Sequence, residues 1–401
     1  MSGSQKPFPN NYDDYTDSKN VVSLVDEKIK PDVLENHKNK ITALIDLILR
    51  SDKLKSLGGD VSVYTGKAGI ALTLFMVHKK LEVEQYKEKS IELIDDCLNN
   101  VSHRKDTFLN GDAGVYAVGA LLYNGLRQTY SRDLVDKLIS KHGAVCKSID
   151  IPDEMLYGRA GYLYALLFIK KHTDIAIDDT VIRKVITAIL ASGQDLAEKR
   201  GSEVPLEYEW HGKNYLGGAH GIAGILYVLL LAKDHLTEDE LLSLVKPTLN
   251  FILCLQYGSG NFPSSIGSRN NDRLVQWCHG APGVVQLMSK AYEVFGDEKY
   301  LQSALKCGEV VWQRGLLWKG YSLCHGAAGN GYTFLQLYQL TLDKKHLHRA
   351  AKFGDWCTTW PKNQFYPPDR EYSLFEGLAG IAYFLADLRT PDIAAFPGYS
   401  L

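Results

Sequence analysis

Residues 277–283 read WCHGAPG and residues 323–329 read LCHGAAG. Their shared kernel, Gly-x-Ala/Pro-Gly followed by an apolar run, occurs seven times: GKAG (66–69), GDAG (111–114), GRAG (158–161), GIAG (221–224), GAPG (280–283), GAAG (326–329) and GLAG (377–380). Successive first glycines lie 45 to 63 residues apart, about one helical hairpin with its loops. The recurrence therefore predicts a repeat fold, with no room for independent domains between copies.

The segment after each glycine pair is apolar nearly all round: Ile70–His78, Val115–Leu126, Tyr162–His172, Ile225–Ala232, Val284–Phe295, Asn330–Leu340 and Ile381–Leu388. That pattern marks buried helices. Between them run amphipathic stretches. Ile41, Leu44, Ile45, Ile48 and Leu49 make one stripe, Leu134, Leu138 and Val145 belong to another, and comparable segments lie near 84–98, 181–196, 239–255, 298–312 and 344–356. The expectation is an all-α fold of seven inner and seven outer helices. Open solenoids end in polar caps, whereas the seventh inner segment, IAYFLADL, is as apolar as the third, so closure into an α/α toroid is expected. Every inner helix would then aim its N-terminus at one end of the ring, and the glycines would permit close backbone approach there. Residues 1–31 read as a tail packed on the surface, residues 32–401 as a single toroid domain, and Trp360–Glu371 as a loop over one end of the ring.

Composition narrows the function. A formal net charge of −2 without clustered Lys/Arg argues against nucleic-acid or anionic-membrane binding. Seven cysteines without paired short spacings do not make a disulfide framework, and MSGSQKPFPNNYDDYTDS contains no apolar h-region, so a reducing, cytoplasmic setting is expected. The longest apolar stretch, Ile225–Ala232, is too short to span a bilayer.

The repeat register converts spacing into proximity. Cys278 and Cys324 stand two residues before the first glycine of repeats five and six, and His220, His279 and His325 stand one before it in repeats four, five and six. Taken singly, such a Cys or His is more often a packed small residue or a helix cap; recurrence at one register in adjacent repeats favours a site. Two thiolates and one imidazole make a three-ligand zinc site with an open position, drawn from Cys278, Cys324 and one of the histidines. Thiolate-rich coordination suits delivery of a bound thiol better than water activation. Ionising an ordinary thiol at neutral pH gains only ~20-fold, so positioning must supply most of the acceleration. If that thiol adds to an activated alkene, a proton donor is required, and His220 is the candidate. The remaining cysteines, Cys97, Cys146, Cys254, Cys307 and Cys357, read as packing residues of outer helices. His211, His346 and His348 lie off the register and read as surface residues.

WCHGAPG, LCHGAAGNGY and AHGIAGI, with YTGKAGIAL, TFLNGDAGVYAVGA, DEMLYGRAGYLYALLF, SGNFP, YSLFEGLAG and FPN, make the chain resemble the lanthionine synthetase C-like (LanC-like) proteins over nearly its whole length. The resemblance is to a eukaryotic, glutathione-binding branch. It implies the double seven-helix barrel, zinc ligands at Cys278, Cys324 and His325, and an active-site histidine at His220. It also implies glutathione as the thiol, added to dehydroalanine or dehydrobutyrine residues in proteins, with glutathione S-transferase-like activity. Implied glutathione contacts fall on Lys319, Lys6 and Asp369. An expected arginine is here Tyr366, with Arg370 as a substitute partner for a carboxylate. A non-catalytic glutathione sensor or scaffold is the alternative. A prenyltransferase subunit would need a carboxylate among its zinc ligands, and the register positions before repeats four to six offer none; a glycosidase would rest on Glu154 and Glu376, either of which could be a helix cap.

Overall fold

The computed structural model describes residues 6–23, 28–51, 54, 59–102, 105–268 and 272–401. Seven inner helices follow the seven glycine motifs: Lys67–Leu81, Asp112–Tyr123, Arg159–His172, Ile222–Leu231, Ala281–Phe295, Ala327–Thr341 and Leu378–Asp387. Every residue of the second and seventh is buried, as expected of segments apolar on all faces. Each is preceded by an outer helix that buries one stripe. Pro31–Arg50, for example, buries His37, Ile41, Leu44, Ile45 and Ile48. The other outer elements are Glu84–Asn99, Gln128–Ile139 continued by His142–Lys147, Asp179–Arg200, Glu240–Val245 continued by Lys246–Cys254, Glu298–Arg314 and Lys344–Thr358. The fifth begins as a π-helical turn because Pro247, in the first turn of the following α-helix, has no N–H to donate. Among the described residues β-pairing is confined to isolated bridges.

The ring is closed. The last inner helix packs on both the first inner and the first outer helix. A circle of hydrogen bonds also joins the seven loops that precede the glycine motifs: Tyr64 N to Leu109 O (2.9 Å), Phe375 N to Tyr64 O (3.1 Å), Cys324 N to Phe375 O (2.9 Å), Cys278 N to Cys324 O (3.4 Å), Gly218 N to Trp277 O (3.2 Å) and Met155 N to Ala219 O (3.1 Å). The Thr107 hydroxyl, donating to Leu156 O at 2.8 Å, spans the remaining gap. Equivalent register positions in successive repeats are thereby held edge to edge, which makes the register a measure of distance.

The second glycine of each motif has a steric role, though against a different neighbour from the one expected. A Cβ on Gly329 would lie 1.8 Å from the Leu323 carbonyl oxygen, and one on Gly114 1.8 Å from that of Phe108. The close approach is between the first helical turn and its own incoming loop, rather than between neighbouring inner helices. It tucks the loop over the helix N-terminus and so sets where the loop's side chains stand.

The axis of the ring is filled. Residues 394–401 turn back into it, burying Phe396 and Tyr399 against Trp277 at ring-centroid distances of 5.3 and 5.4 Å. Tyr399 Oη donates to the Gly283 carbonyl at 2.9 Å. On the outside, the segment from Lys6 runs against the sixth repeat: Phe8 N donates to Leu316 O (2.6 Å), and the Phe8 ring packs on Trp318, Trp356 and Phe365. Part of the expected tail, residues 1–5 and 24–27, lies outside the described residues. Arg349, 1% exposed, anchors Asp14 at 2.6 and 2.9 Å and Glu309 at 2.9 and 3.0 Å. His346 and His348 are buried, contrary to expectation, and this segment covers His348. His348 Nε2 faces the Asp13 carbonyl at 3.0 Å and its Nδ1 accepts from Val21 N at 3.2 Å, the pattern of a neutral Nε2–H tautomer.

Candidate functional site

One residue before each first glycine the chain carries, in order, Thr65, Asn110, Tyr157, His220, His279, His325 and Glu376. Two before stand Tyr64, Leu109, Leu156, Ala219, Cys278, Cys324 and Phe375. Because the loops are bonded in a circle, these residues gather at one mouth of the toroid.

Cys278 and Cys324 meet there, their thiols hydrogen-bonded to each other, and His325 is hydrogen-bonded to Cys324. The Cys324 hydrogen bond holds the Cys278 thiol below its ordinary range despite burial, helped by the Lys319 ammonium and by Gln276, whose amide donates to Cys278 Sγ at 3.2 Å. Cys324 is pushed far up by the same hydrogen bond and by burial, since its ionisation would set a second negative charge beside the first. Tyr64, stacked on Phe375 at 4.6 Å, is hydrogen-bonded through its hydroxyl to Cys324. The contacts are pairwise: among the described residues no three His, Cys, Asp or Glu side chains already stand as a metal cage. All seven cysteines are free thiols. Cys97 is pushed up to about 12 by burial, and Cys307 and Cys357 higher still, as suits inert packing residues of the outer helices.

His220 stands in the neighbouring repeat, and its Nδ1 lies 2.8 Å from Glu154 Oε2. Glu154 is buried and held rigidly, accepting from Leu156 N at 2.8 Å and Tyr157 N at 2.5 Å. A carboxylate can only accept, so the imidazole presents Nδ1–H to it and leaves Nε2 for proton exchange. This assignment makes Glu154 an orienting partner of a histidine, which spacing alone did not reveal. The imidazole plane lies within 14° of Tyr157 (centroids 6.1 Å) and 12° of Trp210 (5.8 Å). Tyr215 bridges the repeats, with centroids 6.1 Å from His220 and 5.6 Å from His279. Burial, followed by the charges of His220 and Lys319, pulls His279 down to about 4, so it is neutral at ordinary pH; its Nδ1 finds no partner among the described residues.

On the other side of the cysteine pair a charged group assembles around Glu376. Burial raises that carboxyl, Asp369 raises it further, and Lys319 and Arg370 oppose the rise. The structure thus brings Lys319, Asp369 and Arg370 together, the last two exposed at the rim. Lys6 joins them from the N-terminal segment: its carbonyl accepts from Trp318 N at 3.0 Å and its ammonium lies 5.7 Å over the Trp318 ring. Tyr366, where the resemblance implied an arginine, is 40% exposed.

A family model described as lanthionine synthetase C-like protein matches residues 59–401. The protein belongs to the LanC-like family. Its sequence is 40% identical over 405 residues to "Glutathione S-transferase LANCL1" of Danio rerio, with 99% of each chain covered. The LanC-like toroid is likewise similar to the solved structure named "Nisin cyclase", with a TM-score of 0.66 and 19% identity over 90% of this chain and 95% of that one; at this identity the likeness establishes the fold. No helix of this LanC-like protein, among the described residues, is long and apolar enough to cross a membrane.

Proposed function

We propose that this LanC-like protein is a transferase acting in the reducing cytoplasm, adding the thiol of glutathione to electrophilic alkenes, above all dehydroalanine and dehydrobutyrine residues in proteins. The observation that carries the reading is the placement of a buried-carboxylate-oriented histidine, His220 on Glu154, one repeat from a paired-thiol centre on the same circle of loops. The name of the zebrafish relative supports the choice of thiol.

Cys278, Cys324 and His325 fit a zinc ion by donor chemistry, since two thiols in contact, one already depressed, and an imidazole bonded to the second are what a thiophilic divalent metal selects. When bound, zinc supplies Lewis acidity that favours the ionised form of a cosubstrate thiol. Lys319, Arg370 and Lys6 match the two carboxylates of glutathione, and Asp369 its ammonium. In the addition, the glutathione sulfur forms a bond to the alkene β-carbon and the π electrons move toward the α-carbon and its carbonyl. His220 takes the thiol proton and returns it through Nε2 to the α-carbon, so protons balance. Glu154 stabilises the transient imidazolium.

The test is incubation of the protein with glutathione and a dehydroalanine peptide, with the adduct read by mass spectrometry and the zinc content measured in parallel. We expect near-stoichiometric zinc, lost on Cys324→Ala, and an adduct that forms at least 100-fold more slowly with His220→Ala. Stoichiometric zinc and saturable glutathione binding with no adduct, and no change on His220→Ala, would instead establish the non-catalytic sensor, the reading favoured by Tyr366 standing where the resemblance implied an arginine.

A further inference from the structure

At the end of the ring opposite the cysteine pair, a cavity of about 640 Å³ opens between the first, third and seventh inner helices, and the thiol chemistry above does not use it. Residues 394–401 separate it from the mouth: Phe396 and Tyr399 turn toward Trp277, whereas Ala395, Pro397, Gly398 and Ser400 form cavity wall.

The glycine register gives the cavity a floor and a rim. Leu72, Tyr164 and Tyr383 each stand six residues after the first glycine of their motif, and all three line the cavity. One turn further along the same helix faces come Met76, Phe168 and Asp387, and one turn beyond those come Lys80 and His172. Eight helical residues span about 12 Å, so an apolar shaft of that depth joins Tyr383 to a rim carrying Lys79, Lys80, Lys171 and His172. Leu121 adds apolar wall, and Ile393, 73% exposed, extends it at the rim.

Both ends of the shaft hold groups that lack a partner. At the floor, Tyr383 is 6% exposed, and its hydroxyl makes no hydrogen bond to any described residue, whereas that of Tyr164 donates to the Ser400 carbonyl at 2.8 Å. Burial and the charge of Asp387 hold the Tyr383 phenol well above its ordinary range, so it remains a donor. A buried donor without an acceptor is costly, and a ligand that supplies one recovers that cost. At the rim, Lys80 is committed to Asp387 at 3.9 Å and to the Thr390 hydroxyl. Lys79 and Lys171 are exposed and have no carboxylate partner among the described residues; with Asp392 as the remaining carboxylate, the rim is net positive. Lysines in last turns are ordinary complements of helix C-termini, so this charge alone would indicate little. Here it caps an apolar shaft with an unpaired donor at its floor.

We infer that this cavity binds a linear, oxygenated fatty acid. Its carboxylate lies at the rim between Lys79 and Lys171, its alkyl body runs along Met76, Leu121 and Phe168, and a hydroxyl or carbonyl oxygen accepts from Tyr383 at the floor. A second carboxylate at the floor would meet the charge of Asp387, so the deep group is neutral. The site is independent of the proposed thiol addition.

Calorimetric titration of the full chain with 10-hydroxydecanoate, decanoate and decane-1,10-diol tests both ends of the shaft. The hydroxy acid should bind saturably, about 5-fold more tightly than decanoate. Tyr383→Phe keeps the ring and removes an unpartnered hydroxyl; it should abolish that preference and leave decanoate within twofold. Lys79→Gln combined with Lys171→Gln should weaken both acids about 3- to 10-fold, more so at low salt, without changing the diol. Both variants should retain the wild-type melting transition. Absence of saturable binding of the hydroxy acid overturns the inference, as does a preference for it that survives Tyr383→Phe. A loss in the lysine variant that extends equally to the diol, or displacement of the bound hydroxy acid by glutathione, which would place it at the mouth, overturns it too.

Discussion

Glu154 Oε2 stands 2.8 Å from His220 Nδ1 across 66 residues of sequence, with both carboxylate oxygens also accepting backbone N–H groups of the following loop. A carboxylate so fixed can neither swing to another partner nor let the imidazole rotate. It acts on the reaction through the histidine: it selects the tautomer and stabilises the cation that forms during proton transfer.

Glu154→Gln preserves the side-chain volume but replaces one acceptor oxygen with a donor. We expect kcat for adduct formation to fall about 100-fold or more, with KM for glutathione within twofold, because the proposed glutathione contacts lie on the other side of the cysteine pair. A thermal melt should show the fold retained. Equal losses in kcat and in glutathione affinity would mean that Glu154 organises the whole mouth rather than His220.

The motif glycines predict a contrast in stability. Gly329→Ala sets a Cβ 1.8 Å from the Leu323 carbonyl, against backbone that cannot yield cheaply, whereas Gly143, inside His142–Lys147, has nothing within 4 Å of an added Cβ. Gly329→Ala should lower the unfolding free energy by about 2 kcal/mol or more, and Gly143→Ala should leave it unchanged or raise it by about 0.5 to 1 kcal/mol. Denaturant titration of the two variants beside the wild type reads both values.

The same glycines explain how much of the molecule was legible in advance. Helix number and the convergence of Cys278, Cys324, His220 and His325 follow from a register that can be counted along the sequence, and ring closure from the apolar seventh inner segment. Tyr157 and Glu376 occupy the register of the three histidines, and Tyr64 that of the cysteines, so extending the count to every residue type would have found them. Glu154 sits four residues before its glycine, and its bond to His220 depends on how two loops fold against each other. Periodicity carries no such information. His348 escapes the sequence for a related reason: a stripe on an outer helix shows which face is polar, but not that a segment over 300 residues away in sequence covers it.

At the opposite end of the ring, Asp387 is wholly buried, accepts from Tyr332 Oη at 2.8 Å and lies 3.9 Å from the Lys80 ammonium. Burial dominates, and its carboxyl is raised from 3.8 to about 6. A carboxyl raised on folding binds more protons in the folded state, so its contribution is most favourable below the unfolded value and is lost as pH rises through about 6. The shift corresponds to about 3 kcal/mol between those limits. Asp387→Asn, which keeps an acceptor for Tyr332 but cannot ionise, should therefore gain in stability relative to wild type as pH increases from 4 to 7. A difference in unfolding midpoint that stays constant over that range would show that Lys80 already neutralises the group.

Arg349 links the N-terminal segment to the thiol side of the mouth. Its guanidinium is buried between Asp14 and Glu309, and the segment held by Asp14 includes Lys6, whose backbone pairs with Trp318 next to Lys319. Removing the arginine would leave two carboxylates facing each other over Trp312, a loss of about 3 to 5 kcal/mol, and would confound folding with function. Asp14→Asn is the gentler probe, since Glu309 still neutralises Arg349. It should loosen the segment without unfolding the ring. If Lys6 contributes to glutathione binding, Asp14→Asn will raise KM for glutathione about 2- to 5-fold with kcat unchanged, and Lys6→Ala will give the same shift with no further loss when the two are combined. Additive losses in the double variant would place Asp14 and Lys6 in separate roles.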